Sequence, residues 1–487
     1  MPSSYVNLAL QFSTQNFNGD AANGLLPSVS SVNGFGSFVD NPATIALIEE
    51  NSFNFGLYNS QVEMENSYLD NTEMSEDNNF GFGNIGVVYK IPTSQGSFVL
   101  GAGYNQLSDM QDVTRIEGRN TESTITDGFR ETDSDYYDIA FDAYATDWGD
   151  VDSTYKESIF RIGFTSFPGI NQEAEIIQST NIGEYSFFFG TEFQENLYVG
   201  ISAGITSGNY KYRRNFLEID KFDFYNAAFI PSDTEGEFTD VDNILTYDEI
   251  DADIVGYAIR GGLLYEFSNK FKIGLSYLIP STTVIQEQYY SSITTELDDG
   301  STPFQSDFAS DGVYEYRIKK PAEFKAGITL SKIWRFDFSA SAEYVNYSNL
   351  RLDFITGNDL SFNTKVALRD QQDEIENFIS STYKPTTNLK AGIGFAVNKD
   401  SKIKAGYAYL PGRSSAFEAT KNVVSAGFTT SISNNVVLDL MGQYSFWNDR
   451  SIAYSYFDYE DGGAARSERI DHDIQTIKIL AGIRFLF

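Results

Sequence analysis

From Ile477 to the end of the chain, apolar residues hold the odd positions: Ile477, Ile479, Ala481, Ile483, Phe485 and Phe487. The even positions are Lys478, Leu480, Gly482, Arg484 and Leu486. Alternation with a period of two predicts a β-strand with the two sets on opposite faces. One face suits lipid; the other, with two cations and a glycine, suits a polar lumen. The pattern recurs at Leu197–Thr206, Phe271–Tyr277, Glu323–Thr329 and Trp334–Tyr344. In a soluble protein such apolar faces need a second sheet to cover them. Long strands that read as antiparallel neighbours throughout favour a closed barrel instead.

The connections set the topology. Short turns fall near Thr93–Gly96, Gln194–Asn196, Ser268–Lys270, Ser331–Ile333, Asn398–Ser401 and Ser433–Asn435. Between them lie longer polar segments, read as loops at 62–79, 109–179, 215–252, 288–312, 350–386, 411–420 and 450–469. Long and short connections alternate, as in barrels with long outer loops and tight periplasmic turns. The expectation is an all-β transmembrane antiparallel barrel of about 14 strands over 51–487, with both ends periplasmic. Residues 1–50, rich in Gly, Asn and Ser between 18 and 41, do not read as a strand. They are expected to plug the lumen; a disordered leader is the alternative.

Composition agrees. The 487 residues show no dividing linker, and only 41% are hydrophobic, with a mean hydropathy of −0.29. No apolar run approaches the ~20 residues of a spanning helix. Forty Phe, 31 Tyr and 39 Gly suit strands and tight turns. The net charge of −34 argues against a nucleic-acid partner. The absence of cysteine excludes disulfides and thiolate sites. Much of the acid falls in the expected loops, with Glu63, Glu65, Asp70, Glu73, Glu76 and Asp77 in the first. No stretch has calcium-loop spacing, so a solvated charged surface is expected rather than a metal site. Met1–Tyr5 has neither the basic start nor the apolar stretch of an export signal. A mature or truncated form is therefore expected.

Short motifs resemble the FadL-like family of long-chain fatty acid and aromatic-hydrocarbon transporters. Asn41-Pro42-Ala43 stands just before Phe53, Phe55 and Leu57 of the first strand, after the Gly-rich run Gly34-Phe35-Gly36-Ser37-Phe38. Gly274-Leu275-Ser276-Tyr277 with Pro280, and Lys320-Pro321-Ala322 with Gly327, are similar to mid-barrel strands of that family. Lys404–Tyr409 and Ser425–Phe428 are similar to its last strands, and Asn181–Tyr185 resembles its Bacteroidota branch. The stretch before Asn41 is shorter than usual there, and Thr44-Ile45 replaces the usual Gly-Leu. The resemblance implies 14 strands, an N-terminal hatch bearing Gly34, Gly36, Asn41, Pro42 and Ala43, and passive uptake of a hydrophobic molecule. A terminal Phe487 resembles the signal read by the barrel assembly machinery.

Parity turns Phe188, Tyr198, Arg260, Leu264, Lys272, Leu278, Lys325 and Lys404 inward, as candidate ligand contacts. Lys390, Lys478 and Arg484 share that side. The bland reading pairs these cations with Glu184, Glu323, Glu343 and Asp439, and packs the apolar ones on the hatch. For Asn41 and Pro42 it is an ordinary Asx-Pro turn. His472, the one histidine, has no Gly-x-Ser-x-Gly elbow beside it, and there is no nucleotide motif, so neither catalysis nor a cofactor is expected. Expected partners are a hydrophobic ligand, outer-membrane lipid and lipopolysaccharide, and any proteins that dock on the outer loops. The alternative function is a barrel serving as a non-transport subunit of an assembly or secretion complex.

Overall fold

A strand that is apolar on one face and polar on the other satisfies both faces only when the sheet closes between lipid and a wet interior. The computed structural model has that form. It describes all residues except 1–16, 133, 226–229, 232–237, 303, 311, 355–361, 415–417 and 460–461. Fourteen antiparallel strands follow in chain order: β1 Ser52–Tyr68, β2 Asn71–Ile91, β3 Phe98–Asn120, β4 Ile170–Gln194, β5 Leu197–Ile219 and β6 Val241–Ser268. β7 is in two parts, Phe271–Leu278 and Ser281–Leu297, and β8 runs through Phe304–Ala309, Tyr314–Lys320 and Glu323–Ile333. Next come β9 Phe336–Asn346, β10 Pro385–Ala396, β11 Ser401–Leu410, β12 Lys421–Ser433, β13 Val436–Asp458 and β14 Ala464–Leu486. Each pairs with its successor, and β14 pairs with β1 from Ser52↔Leu486 to Tyr68↔Ile470, which closes the barrel. No helix among the described residues is long and apolar enough to cross a membrane.

Five of the six expected turns join strands where the sequence places them, and the sixth falls at Trp334-Arg335, just past Ser331–Ile333, which belong to β8. Segment 411–420 joins β11 to β12 as expected, but most of the long connections are shorter than their expected bounds. β1 and β2 run on to Tyr68 and Asn71, so most of 62–79 is strand, and β3 and β4 likewise take residues from both ends of 109–179. Segments 215–252, 288–312 and 450–469 are narrowed in the same way. The cause is the outward face, which loses its apolar residues above the membrane while the ladder continues. On β14 the outward set changes from Ile477, Ile479, Ala481, Ile483 and Phe485 to Gln475, Asp473 and Asp471. Glu63, Glu65, Glu73 and Glu76 therefore stand on strands, not in a loop.

The outward apolar band is bounded by aromatic residues at both edges, as a bilayer-spanning barrel requires. Tyr104, Tyr185, Tyr257, Tyr277, Tyr344 and Tyr444 mark the loop-side edge, and Phe267, Trp334, Phe336 and Phe485 the turn-side edge. The loop between β3 and β4 folds over the mouth. Its short helix Tyr137–Asp142, with Ile125, Phe129 and Phe160, packs against Tyr68, Ile116, Phe216, Ile244 and Tyr454 of the wall.

Leu440 points outward near the middle of the band on β13 and is 52% exposed. Leu440→Arg is expected to destabilise the barrel by about 2–4 kcal/mol in equilibrium unfolding from bilayers. Asp473→Arg, above the band, is expected to change it by less than about 0.5 kcal/mol.

Candidate functional site

Residues 17–50 lie against the inward face of the wall on the short-turn side, and most of Phe17–Ala46 is buried. Two 3₁₀ turns, Phe35–Val39 and Pro42–Leu47, shape this segment. Asn41 is the N-cap of the second, and Pro42 sits at its first position, where a missing N–H costs nothing. The Asn41 Oδ1 accepts the Ala43 N–H at 3.0 Å, and Thr44 Oγ1 donates to the Asn41 carbonyl at 2.7 Å. Its Nδ2 donates to the carbonyls of Val29 at 2.6 Å and of Leu263, on β6, at 3.0 Å. The Asx-Pro turn is thus also bonded to the wall.

The wall meets this segment with glycine. A Cβ on Gly262 would stand 1.9 Å from Asn41 Oδ1, and one on Gly274 would stand 1.8 Å from the Val29 carbonyl oxygen. No larger residue allows backbone to approach so closely. Gly34 and Gly36 serve the segment itself. Asp20 accepts the Gly36 N–H at 2.8 Å, and a Cβ on Gly34 would lie 2.3 Å from its Oδ2.

The inward candidates fall into three groups. Phe188 stacks on Phe38 at 4.5 Å and tilts against Phe35 at 5.7 Å, while Tyr198 and Leu264 pack on Ala43 and Ala46. These side chains seat the segment. Arg260 is clamped by Glu184 at 2.7 and 2.8 Å, and Arg484 by Asp439 at 2.8 and 3.2 Å. Lys325 lies 3.0 Å from Glu343, 3.3 Å from Asp40 and 3.8 Å from Glu323, and Lys390 is 3.8 Å from Asp40. Unpaired, these buried charges would be costly, which accounts for the pairing. Lys404 donates to the Ala22 carbonyl at 2.9 Å, Lys272 is 3.7 Å from Glu266, and Leu278 ends the first part of β7. Lys272 and Lys404 also line a cleft of about 200 Å³ between the segment and the wall, with Leu26, Asn33, Ser339 and Lys402. Asp40 escaped sequence reasoning because nothing in its neighbourhood announces two lysines from distant strands.

The wall departs from a regular ladder in two places. β2 and β3 pair only between Asn84–Ile91 and Phe98–Asn105, although both strands continue upward. A register shift in β3 at Gln106/Ser108 accompanies the split, and the Gly19 N–H donates to the Gln106 carbonyl at 2.9 Å there. Side chains bridge the strands above: Asn79 donates to both Asp109 oxygens at 2.8 and 3.0 Å, Gln111 donates to Asp77 at 3.2 Å, and Asn71 to the Glu117 carbonyl at 3.0 Å. In the second place, Ile279-Pro280 in β7 face Pro321-Ala322 in β8, between the pairs Leu278↔Glu323 and Ser281↔Lys320.

His472 lies within β14, above the apolar band, with Nε2 2.7 Å from Ser451 Oγ and Nδ1 2.8 Å from Asn66 Oδ1. Sequence reasoning missed both partners, which sit on neighbouring strands. The Ser451 hydroxyl and Asn66 belong to strands whose N–H groups serve the ladder, so the trio lacks the free donors an oxyanion needs. On the outer rim, carboxylate oxygens of Asp223, Asp240 and Asp298 lie within 4.8 Å of one another. Burial, and then Asp240, push Asp298 up to about 7.

No family model matches the chain, and no curated protein matches it in sequence. Its fold is that of solved transporters. The P. putida toluene transporter TodX aligns over 96% of this chain and 97% of its own, with a TM-score of 0.54 at 13% identity. A Pseudomonas aeruginosa FadL homologue aligns over 96% and 97%, with a TM-score of 0.50 at 12% identity. Closed ladder, apolar band and shared fold make this a bacterial outer-membrane β-barrel.

Two outcomes follow. Gly262→Ala is expected to unseat residues 17–50 and raise single-channel conductance, whereas Gly261→Ala, whose added Cβ meets nothing within 4 Å, is expected to leave it unchanged. The second concerns the mouth. Glu218 is fully buried there, accepting from the Ile125 N–H at 2.9 Å, Gln172 Nε2 at 2.7 Å and Thr124. Burial pushes it up from 4.5 to about 7. Between those values the folded state keeps a proton that the unfolded chain has lost. Stability of the mouth is therefore full below the lower value, falls as pH rises through the window, and levels off above it. Protection factors of 121–169, that is exchange corrected for its intrinsic rise with pH, are expected to fall across that window, and Glu218→Gln to remove the fall.

Proposed function

We propose that this barrel is a passive outer-membrane uptake channel for hydrophobic small molecules, in the range of long-chain fatty acids and related hydrocarbons. Its hatch is the expected plug of residues 1–50, of which 1–16 lie outside the described residues and 17–50 are seated by Gly34, Gly36, Asn41, Pro42 and Ala43. The observation that carries the reading is the split between β2 and β3 beside Gly19. At its lower end the split meets outward Phe82, stacked 5.8 Å from Tyr104, so it reaches the apolar band. A molecule that enters from the mouth meets the seated hatch below and leaves sideways through this seam. Side chains rather than ladder bonds hold the seam, and side-chain contacts open at lower cost than a continuous ladder.

The fold shared with a toluene transporter supports this reading. The alternative of a non-transport subunit is not favoured, since the similar solved structures are named for transport or for a FadL homologue. Phe487, at the open end of β14, donates its N–H to the Asn51 carbonyl at 3.2 Å and keeps its side chain exposed. That exposure suits its reading as the assembly signal.

The absence of native cysteine makes the seam testable. An Asn79→Cys/Asp109→Cys pair, oxidised, is expected to staple β2 to β3 and reduce entry of a fluorescent hydrophobe into proteoliposomes to the barrel-free level. Reduction is expected to restore it. Full entry through the stapled barrel would overturn the lateral route, and equal entry with and without any barrel would overturn uptake itself.

A further inference from the structure

Two elements cover the outer end of this barrel, and they are held in different ways. The roof formed by 121–169 is tied to the wall by buried polar bonds. Glu218 on β5 accepts the Ile125 N–H at 2.9 Å, Thr295 on β7 donates to the Ala143 carbonyl at 2.6 Å, and Tyr136 donates to Asp248 on β6. Across the mouth, Ser123 Oγ lies 2.9 Å from the Tyr454 hydroxyl of β13. Lifting the roof would leave these groups without partners until water reached them.

The second cover is the long helix Phe362–Thr382, in the connection from β9 to β10. Its C-terminal half buries Ile375 and Ile379 in one apolar cluster with Tyr347, Leu352 and Phe354. Inward Ile254, Ile285 and Ile318 of β6, β7 and β8 belong to the same cluster, so the helix stands over the lumen. Its N-terminal half stands off the wall, with Val366 38% exposed and Ala367, Arg369 and Asp370 exposed beside it. The Arg351–Glu376 ion pair, at 3.6 Å and partly exposed, adds little to the docking. The two covers meet at Tyr212, which packs against both apolar clusters.

The helix is also poorly equipped to persist alone. Lys365 stands in its first turn, where no acid joins it, and no base stands in its last turn, so its charges leave the helix dipole uncompensated. Asp370 and Glu374, four residues apart, repel. Docking therefore sustains the helix. The apolar contact that docks it is of the one kind that a hydrophobic molecule can replace. Just past Thr382 the chain is fixed again, since the Lys384 N–H donates to the Arg413 carbonyl at 3.0 Å, which gives the helix a foot to turn on.

We propose that the helix Phe362–Thr382 is a releasable lid, which undocks as the barrel takes up a hydrophobic molecule while the roof stays in place. The proposal rests on the uptake reading and adds to it which part of the mouth moves.

The absence of native cysteine allows single reporters. Ile379→Cys, Ser380→Cys and, on the roof, Ala140→Cys are placed one at a time in the full chain. Each is treated in nanodiscs with a water-soluble maleimide, with and without N-phenyl-1-naphthylamine. In the resting barrel Ile379→Cys is expected to react at least about tenfold more slowly than Ser380→Cys, its exposed neighbour. The dye is expected to bring it within about threefold of Ser380→Cys and to leave Ala140→Cys protected. Hydrogen exchange of 366–382 in the unaltered chain is expected to speed up with the dye. That arm reads the same release without a cysteine, and it decides if Ile379→Cys loosens the helix by itself. Dye entry into proteoliposomes with the helix still protected would overturn the lid and leave uptake standing. An equal rise at Ala140→Cys would overturn the division between roof and lid. Equal dye entry with and without the barrel would overturn the uptake reading, and this proposal with it.

Discussion

In a bilayer no water is available to a stray N–H or C=O, so each must find its partner inside the protein, and the rest of this structure depends on that constraint. The β14–β1 pairing meets it by removing both sheet edges. Closure then forces parity: each side chain faces either lipid or lumen, and the two sets must differ in polarity. The places where the ladder is relaxed respect the same limit. Both lie at or above the loop-side aromatic edge. At one, Asn79, Gln111 and Asn71 donate across the gap in place of the backbone. At the other, two of the four facing residues are Pro280 and Pro321, which have no N–H to leave unpaired, and Ile279 gives its own to the Ile259 carbonyl at 3.1 Å.

A closed barrel this wide has an interior to satisfy as well, and residues 17–50 are part of that solution. Asp40 brings a carboxylate to Lys325 and Lys390, and the Ala22 carbonyl takes the Lys404 ammonium. Were the segment to leave altogether, Lys390 and Lys404 would lose these partners, at a cost of several kcal/mol each before water or an ion replaced it, while Lys325 would keep Glu343. The wall's glycines make the same point through shape, since the hollow they leave fits a backbone and nothing bulkier. Segment and barrel therefore form one packed unit, and a movement that admits a ligand has to preserve most of these contacts.

Strand existence, number, turns and parity were legible in the sequence because lipid on one side and polar lumen on the other impose a period of two. The ion partners of Arg260, Lys325 and Arg484 were legible for the same reason, as inward charges of opposite sign. Strand ends were not. Above the band both faces of β1 and β2 are polar, the alternation vanishes, and Glu63 to Asp77 look like a loop although they pair to the tip. Bulges at Gly83 of β2 and Leu107 of β3 accompany the split, and nothing in the sequence marks Leu107. Asn41-Pro42-Ala43 was legible as a turn, but its bond to the wall needs Gly262 and Leu263, far away along the chain.

The same contacts decide between routes past the segment. Along β6 and β7, the Asn41 side chain and the Val29 carbonyl lie directly on Gly262 and Gly274, and there is no room even for a methyl group. From β7 round to β11 the cleft beneath Leu26 is lined by Lys272, Lys402, Lys404, Asp337 and hydroxyls as well as by Leu26, Val32, Leu47 and Ile393. An apolar body moving through it would strip water from the charged groups without pairing them. The seam between β2 and β3 is different in kind. Its lower end opens beside Phe82 and Tyr104, toward lipid, where an apolar body gains by arriving. Among the described residues, shape opposes the first of these ways around residues 17–50 and desolvation the second, whereas the seam of the proposed route is held by bonds that side-chain rotation can release.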